Sequence, residues 1–206
     1  LLGEVNRFDL ATRRFSLFYK YPIELAIYGI VRDAGGNLWV GTSKAGYALT
    51  CFTPSGERKT EFTGPEGEKL HFSSVRCMEE ESPGVLLIGM RSAGLYRFNT
   101  HTGELTVFRT SRPEQEMQIP SNYISSILST RSGDVWVSTY GGGIFQLDKR
   151  GGVLRRVTEK EGLMGGDICK LLEGADGNLW MSSLQGISSY SPSTGEIKNF
   201  PFNNGI

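Results

Sequence analysis

The sequence predicts an all-β chain built from repeated four-stranded antiparallel sheets. Three observations carry the prediction. One strand–turn–strand pattern recurs four times at near-constant spacing, glycines occupy fixed places in each copy, and polar and apolar residues alternate over short stretches between them. With Trp39 as origin, the equivalent residues are Leu87, Trp136 and Trp180, at separations of 48, 49 and 44 residues. Nine positions upstream stand Ile30, Met78, Ile127 and Leu171, and twelve upstream Ile27, Val75, Ile124 and Ile168, with no gap in either column.

Each element of the repeat has a physical reading. The segment that closes nine positions before the origin is short, apolar and β-branched, which suits a buried strand. A polar stretch follows, as in Asp33-Ala34-Gly35-Gly36, and Gly36, Gly84, Gly133 and Gly177 supply the backbone freedom of a tight turn. The second strand, Leu38-Trp39-Val40-Gly41-Thr42 in the first copy, is apolar on both faces, as expected between neighbouring sheets. Small residues two places after the origin (Gly41, Gly89, Ser138, Ser182) are expected to let the next sheet approach.

A third strand starts after Gly46, Gly94, Gly143 or Gly186, as in Leu95-Tyr96-Arg97-Phe98 and Ile144-Phe145-Gln146-Leu147. Turn compositions such as Thr100-His101-Thr102-Gly103-Glu104 lead into a fourth, with Phe62, Phe108, Val157 and Phe200 near its end. Four antiparallel strands per repeat make a β-propeller blade. A β-sandwich has comparable strand spacing but needs no register repeated four times without gaps. The predicted fold is therefore a β-propeller fragment of about four and a half blades, cut from a larger ring that we expect to have seven.

The predicted units are the second half of a blade at 1–20, blades at 21–64, 65–112 and 113–160, and a blade with the start of the next connection at 161–206. Residues 1–20 read as the third and fourth strands of a blade, and Asn203-Asn204-Gly205-Ile206 as the lead into a further first strand.

Composition narrows the function. Lys plus Arg equals Asp plus Glu at 22 each. That balance argues against nucleic acid as the partner of this segment, since phosphate neutralisation calls for a basic excess. Cys51, Cys77 and Cys169 are too few and scattered for a disulfide framework, and with two histidines no metal site or cofactor is expected. Cys77 and Cys169 read as small buried hydrophobes in first strands. Glu79, Glu80 and Glu81 read as a solvated turn edge rather than an acid–base cluster, His101 as a turn residue, and no nucleophile elbow occurs. No catalytic residue is assigned. Trp39, Trp136 and Trp180 recur at one strand register, so they are expected to pack between blades rather than stack on a ligand.

Binding residues are better sought where repeats diverge, in loops. The second-to-third-strand loops carry Lys44, Arg91, Tyr140 and Gln185, the expected ligand-binding set. The connections between blades add Tyr21, His71 and Tyr123.

The run Asp33-Ala34-Gly35-Gly36-Asn37-Leu38-Trp39-Val40-Gly41-Thr42, with Gly94-Leu95-Tyr96-Arg97-Phe98-Asn99 in the next copy, resembles the two-component regulator propeller repeat. Gly133-Asp134-Val135-Trp136-Val137-Ser138-Thr139 and Gly177-Asn178-Leu179-Trp180-Met181-Ser182-Ser183 match with one or two departures, and Leu87 replaces tryptophan in the weakest copy. Asp33 also resembles the aspartate-box residue of sialidase propellers, a turn staple, although Trp39 lies one place too far along.

The family resemblance implies a periplasmic sensor segment of a bacterial hybrid two-component receptor. It implies binding without turnover of an oligosaccharide or other small molecule, further blades of the same chain, and a homodimer in the full receptor. Any histidine kinase activity would reside elsewhere in the full-length chain. The alternatives are a propeller enzyme, such as a lyase or glycosidase, and a purely structural interaction or dimerisation scaffold.

Overall fold

The computed structural model describes residues 3–110, 119–148 and 152–202. The Asn203–Ile206 lead-in expected from the sequence lies outside them. The chain forms a hairpin followed by four four-stranded antiparallel sheets, each a blade with its strands side by side in chain order. The hairpin joins β1 (Glu4–Asp9) to β2 (Arg14–Lys20). Blade one contains β3 (Ile27–Arg32), β4 (Leu38–Thr42), β5 (Leu49–Phe52) and β6 (Arg58–Lys59). Blade two contains β7 (Val75–Ser82), β8 (Val85–Met90), β9 (Leu95–Asn99) and β10 (Leu105–Phe108). Blade three contains β11 (Ile124–Ser129), β12 (Val135–Thr139), β13 (Ile144–Leu147) and β14 (Val153–Val157). Blade four contains β15 (Ile168–Glu173), β16 (Leu179–Ser183), β17 (Gly186–Tyr190) and β18 (Ile197–Pro201). The sheets form an open series, and the first strands β3, β7, β11 and β15 of successive blades are neighbours.

The core lies between blades. Trp39, 3 % exposed, packs with Leu86, Ile88 and Phe98 of blade two. Leu87 packs with Val135, Val137 and Leu147 of blade three, and Trp136 with Leu179, Met181 and Tyr190 of blade four. Within β8, Leu87 therefore faces forward while Leu86 and Ile88 face back. Strand alternation puts successive side chains on opposite faces, and with a blade on each side both faces are apolar. Trp180 holds the same register in β16 but is 37 % exposed and stacks on Phe200 at 5.7 Å. Burying a large apolar side chain in such a junction contributes about 1.5–3 kcal/mol.

The glycine columns behave as the spacing predicts. Gly36, Gly84, Gly133 and Gly177 all have φ near +80°, where a Cβ is strained. A Cβ on Gly41 would lie 2.4 Å from Val75 Cγ1, and one on Gly89 would lie 2.4 Å from Cys77 Sγ and 2.6 Å from Ile124 Cγ2. The Val75 and Ile124 contacts are those by which one blade's second strand meets the next blade's first, whereas Cys77 is Gly89's partner within blade two.

Three local expectations are corrected. Phe62 is not on a fourth strand, because β6 ends at Lys59; its ring packs against Trp39 and Phe98 instead. Glu79, Glu80 and Glu81 are half-buried in β7 rather than solvated in a turn. Glu80 accepts from the backbone N–H of Ala34 in blade one, Glu81 pairs with Arg97, and burial pushes the Glu79 carboxyl up. Cys169 is exposed rather than buried, for a reason given below.

Candidate ligand-binding site

The second-to-third-strand loops and the lead-ins to the first strands share one edge of the array, because backbone bonds tie them together. Ser43 N–H donates to the Ala26 carbonyl at 2.9 Å, Arg91 N–H to Ser74 and Tyr140 N–H to Tyr123, both at 3.0 Å. This edge carries the whole predicted set. Lys44, Arg91 and Gln185 are exposed, and among the described residues their side chains form no hydrogen bond or ion pair. Tyr140, 38 % exposed, stacks face to face on Tyr123 with ring centroids 5.3 Å apart and planes at 25°. Tyr123 and Tyr140 thus stand together, whereas Lys44, Arg91 and Gln185 belong to separate blades and touch neither ring. His71 is exposed. Tyr21 is not a surface residue: it is 2 % exposed and packs with Val40 and Phe52. Its backbone N–H donates to the Gly3 carbonyl at 2.8 Å, which ties the lead-in to the hairpin.

The structure adds residues that loop reasoning missed. Every first strand pairs with its second strand through a register shift at one column, skipping Tyr28, Arg76, Ser125 and Cys169. Each is the extra residue of a β-bulge, and a bulge re-aims the side chain it carries. The Arg76 guanidinium lies over the Tyr28 ring at 4.2 Å and within 5.9 Å of the Tyr123 ring. Tyr28, Arg76, Tyr123 and Tyr140 consequently form one row of stacked groups across three blades. Ser125 Oγ donates to the Ile168 carbonyl. Cys169 holds the same bulged column on the outer face of blade four, the last described, and is exposed there, while Cys77, one register place later in blade two, points into the core. Burial pushes the Cys77 thiol up to about 12 and the Cys51 thiol up to about 11, far from a reactive thiolate at neutral pH. The recurring bulge column was visible in the alignment of the repeats but had no distinctive residue type.

The opposite edge carries the turns between first and second strands. There the Asp33 carboxylate accepts from Asn37 N–H and Asn37 Nδ2, both at 2.8 Å, and from Trp39 Nε1 at 2.7 Å. Burial works to raise its pKa, but the donors outweigh it and hold the carboxyl below its ordinary range. A crevice between blades one and two is lined by Asp33, Trp39, Lys59, Thr100 and His101. Its polar groups are mostly turn staples.

The "Two component regulator propeller" family profile matches residues 22–44 and 118–141, covering the lead-in and first two strands of blade one and the corresponding part of blade three. By that match, two of its blades carry two component regulator propeller repeats. Among solved structures, it is similar to the extracellular domain of a protein described as a hybrid two component system of B. thetaiotaomicron. The two share 20 % identity at a TM-score of 0.77, over 99 % of this chain and 26 % of that one. A second such domain from the same organism gives 19 % identity and a TM-score of 0.64 over 95 % of this chain and 30 % of that one. A streptogramin B lyase gives 17 % identity and 0.62 over 87 % of this chain and 55 % of the lyase.

The chain thus spans about a quarter to a third of the first two, and at these identities the likeness establishes the propeller fold. No curated protein sequence matches it significantly. Among the described residues, no helix is long and apolar enough to cross a membrane.

Proposed function

We propose that this regulator-propeller segment senses a carbohydrate in the periplasmic part of a bacterial hybrid two-component receptor, binding it without turnover. The observation that carries the reading is the row of Tyr28, Arg76, Tyr123 and Tyr140 on the loop edge, beside exposed Lys44, Arg91 and Gln185. Aromatic faces offer flat apolar area to a sugar ring, and the flanking polar chains offer donors to its hydroxyls. The family of the repeats supports the same reading, and the first two solved structures above are extracellular. In this proposal the remaining blades, a homodimer and any kinase output belong to the rest of the receptor.

The test is a thermal-shift screen of the intact extracytoplasmic region against oligosaccharides, followed by calorimetry on Arg91→Ala and Tyr140→Ala. A ligand that binds the folded state raises its apparent stability. The expected result is a ligand whose affinity falls about tenfold or more in Tyr140→Ala, about 1.4 kcal/mol. Unchanged affinity in both variants overturns the assignment of this edge.

A further inference from the structure

We infer that Arg76 reads a carboxylate, so that the sugar recognised at this edge is an acidic one. This rests on the sensing reading above and adds the chemical class of the ligand.

Two further arginines are half-buried like Arg76, and both are hydrogen-bonded: Arg97 pairs with Glu81, and Arg109 donates to Tyr96 Oη. Arg76 differs. It is half-buried, yet among the described residues its guanidinium forms no hydrogen bond and no ion pair. Its interactions there are with two tyrosine faces, at 4.2 and 5.9 Å. Stacking uses the face of the guanidinium and leaves its in-plane N–H groups unspent.

Those N–H groups form a rigid fork that matches the two oxygens of a carboxylate. The bulge at Arg76 sets where the side chain emerges, and the Tyr28 ring holds the guanidinium at 4.2 Å, so little side-chain entropy is lost when an anion docks. Tyr123 and Tyr140 continue the row on the far side, where a sugar ring bearing that carboxylate can lie. A neutral sugar would leave the fork without a partner. The geometry therefore discriminates by charge.

The experiment is calorimetry on the intact chain with four probes: trigalacturonate, its methyl ester, neutral galactotriose and a 6-sulfated galactotriose. The expected result is that trigalacturonate binds about tenfold to a hundredfold tighter than its methyl ester, the range for a charge-assisted hydrogen-bonded pair. Arg76→Gln removes that preference, and Arg76→Lys, which keeps the charge but not the fork, retains only part of it. The preference of the unmodified chain needs no variant to fold. For the variants, a thermal melt and binding of the neutral sugar report integrity.

Equal affinity for the acid and its ester overturns the inference while leaving carbohydrate sensing in place. So does preferential binding of the sulfated probe, or an acid preference that survives Arg76→Gln. Failure of all four probes to bind also overturns it, and the wider oligosaccharide screen then decides the sensing reading separately.

Discussion

The indole Nε1–H of Trp39 donates to Asp33 Oδ2 at 2.7 Å, so the residue that fills the junction between blades one and two is oriented by the turn that precedes it. The same carboxylate closes that turn through Asn37. Turn and core are therefore one unit, and Asp33→Ala leaves a buried indole N–H without its acceptor. We expect a loss of about 1–3 kcal/mol in denaturant unfolding. The pH dependence follows from linkage. The folded-state pKa of Asp33 is depressed, so its contribution is present above the unfolded value and is lost as pH falls through the folded one. Stability should decline below about pH 4, and less steeply in Asp33→Asn than in the parent.

The close approach of second and first strands predicts steric intolerance. Gly41 and Gly89 lie outside the left-handed region, so substitution there costs through contact alone. Gly41→Ala drives a methyl into Val75 and should destabilise by about 1–3 kcal/mol. Pairing it with Val75→Ala should recover part of that loss. A purely additive double mutant in urea titrations would refute the contact as the cause.

The three thiols should separate by accessibility. Cys51 and Cys77 are buried with raised pKa values, and Cys169 is exposed on its bulge. A water-soluble disulfide reagent should modify one thiol per native chain at neutral pH, and none in Cys169→Ser. Unfolding should release all three. Modification of Cys77 in the native state would show that the junction between blades two and three opens, and modification of Cys51 that the junction between blades one and two does.

A carboxylate in a first strand clamps the preceding blade in two places. Glu80 accepts from Ala34 N–H at 2.8 Å and from Gly84 N–H at 3.1 Å, while Glu173 accepts from Arg131 N–H at 2.9 Å and pairs with its side chain at 3.3 Å. Glu80→Gln keeps one acceptor oxygen and should cost less than about 1 kcal/mol, and Glu80→Ala more. Proteolysis confined to the Asp33–Gly36 turn in Glu80→Ala would report the released clamp.

Much of the fold was legible because its determinants are local and repeated. Gly36 and its equivalents need positive φ wherever they occur, and a strand covered on both faces carries apolar or small residues on both, as Leu38–Thr42 and Val135–Thr139 do. Recurrence at one register also identified Trp39 and Trp136 as packing residues. The loop edge was legible as a place, and Tyr140 as one of its residues. Phe62 was misplaced because the pairing of β6 stops after two residues, a matter of the partner strand rather than of its own sequence.

The sequence by itself determined the repeat, the turn chemistry, the inter-blade burial and the edge where the strands' loops gather. Only the tertiary structure decided which first-strand side chains join that edge. The first strands bulge at Tyr28, Arg76, Ser125 and Cys169, and a bulge depends on how a strand registers with its neighbour, not on the type of residue that bulges. Residue type alone made Cys77 and Cys169 alike. Register and cover separate them: Cys77 lies in the core between blades two and three, and Cys169 on the bulge column of the last described blade, where no further described blade covers it. The same column in blade two lays Arg76 between two tyrosines contributed by blades on either side.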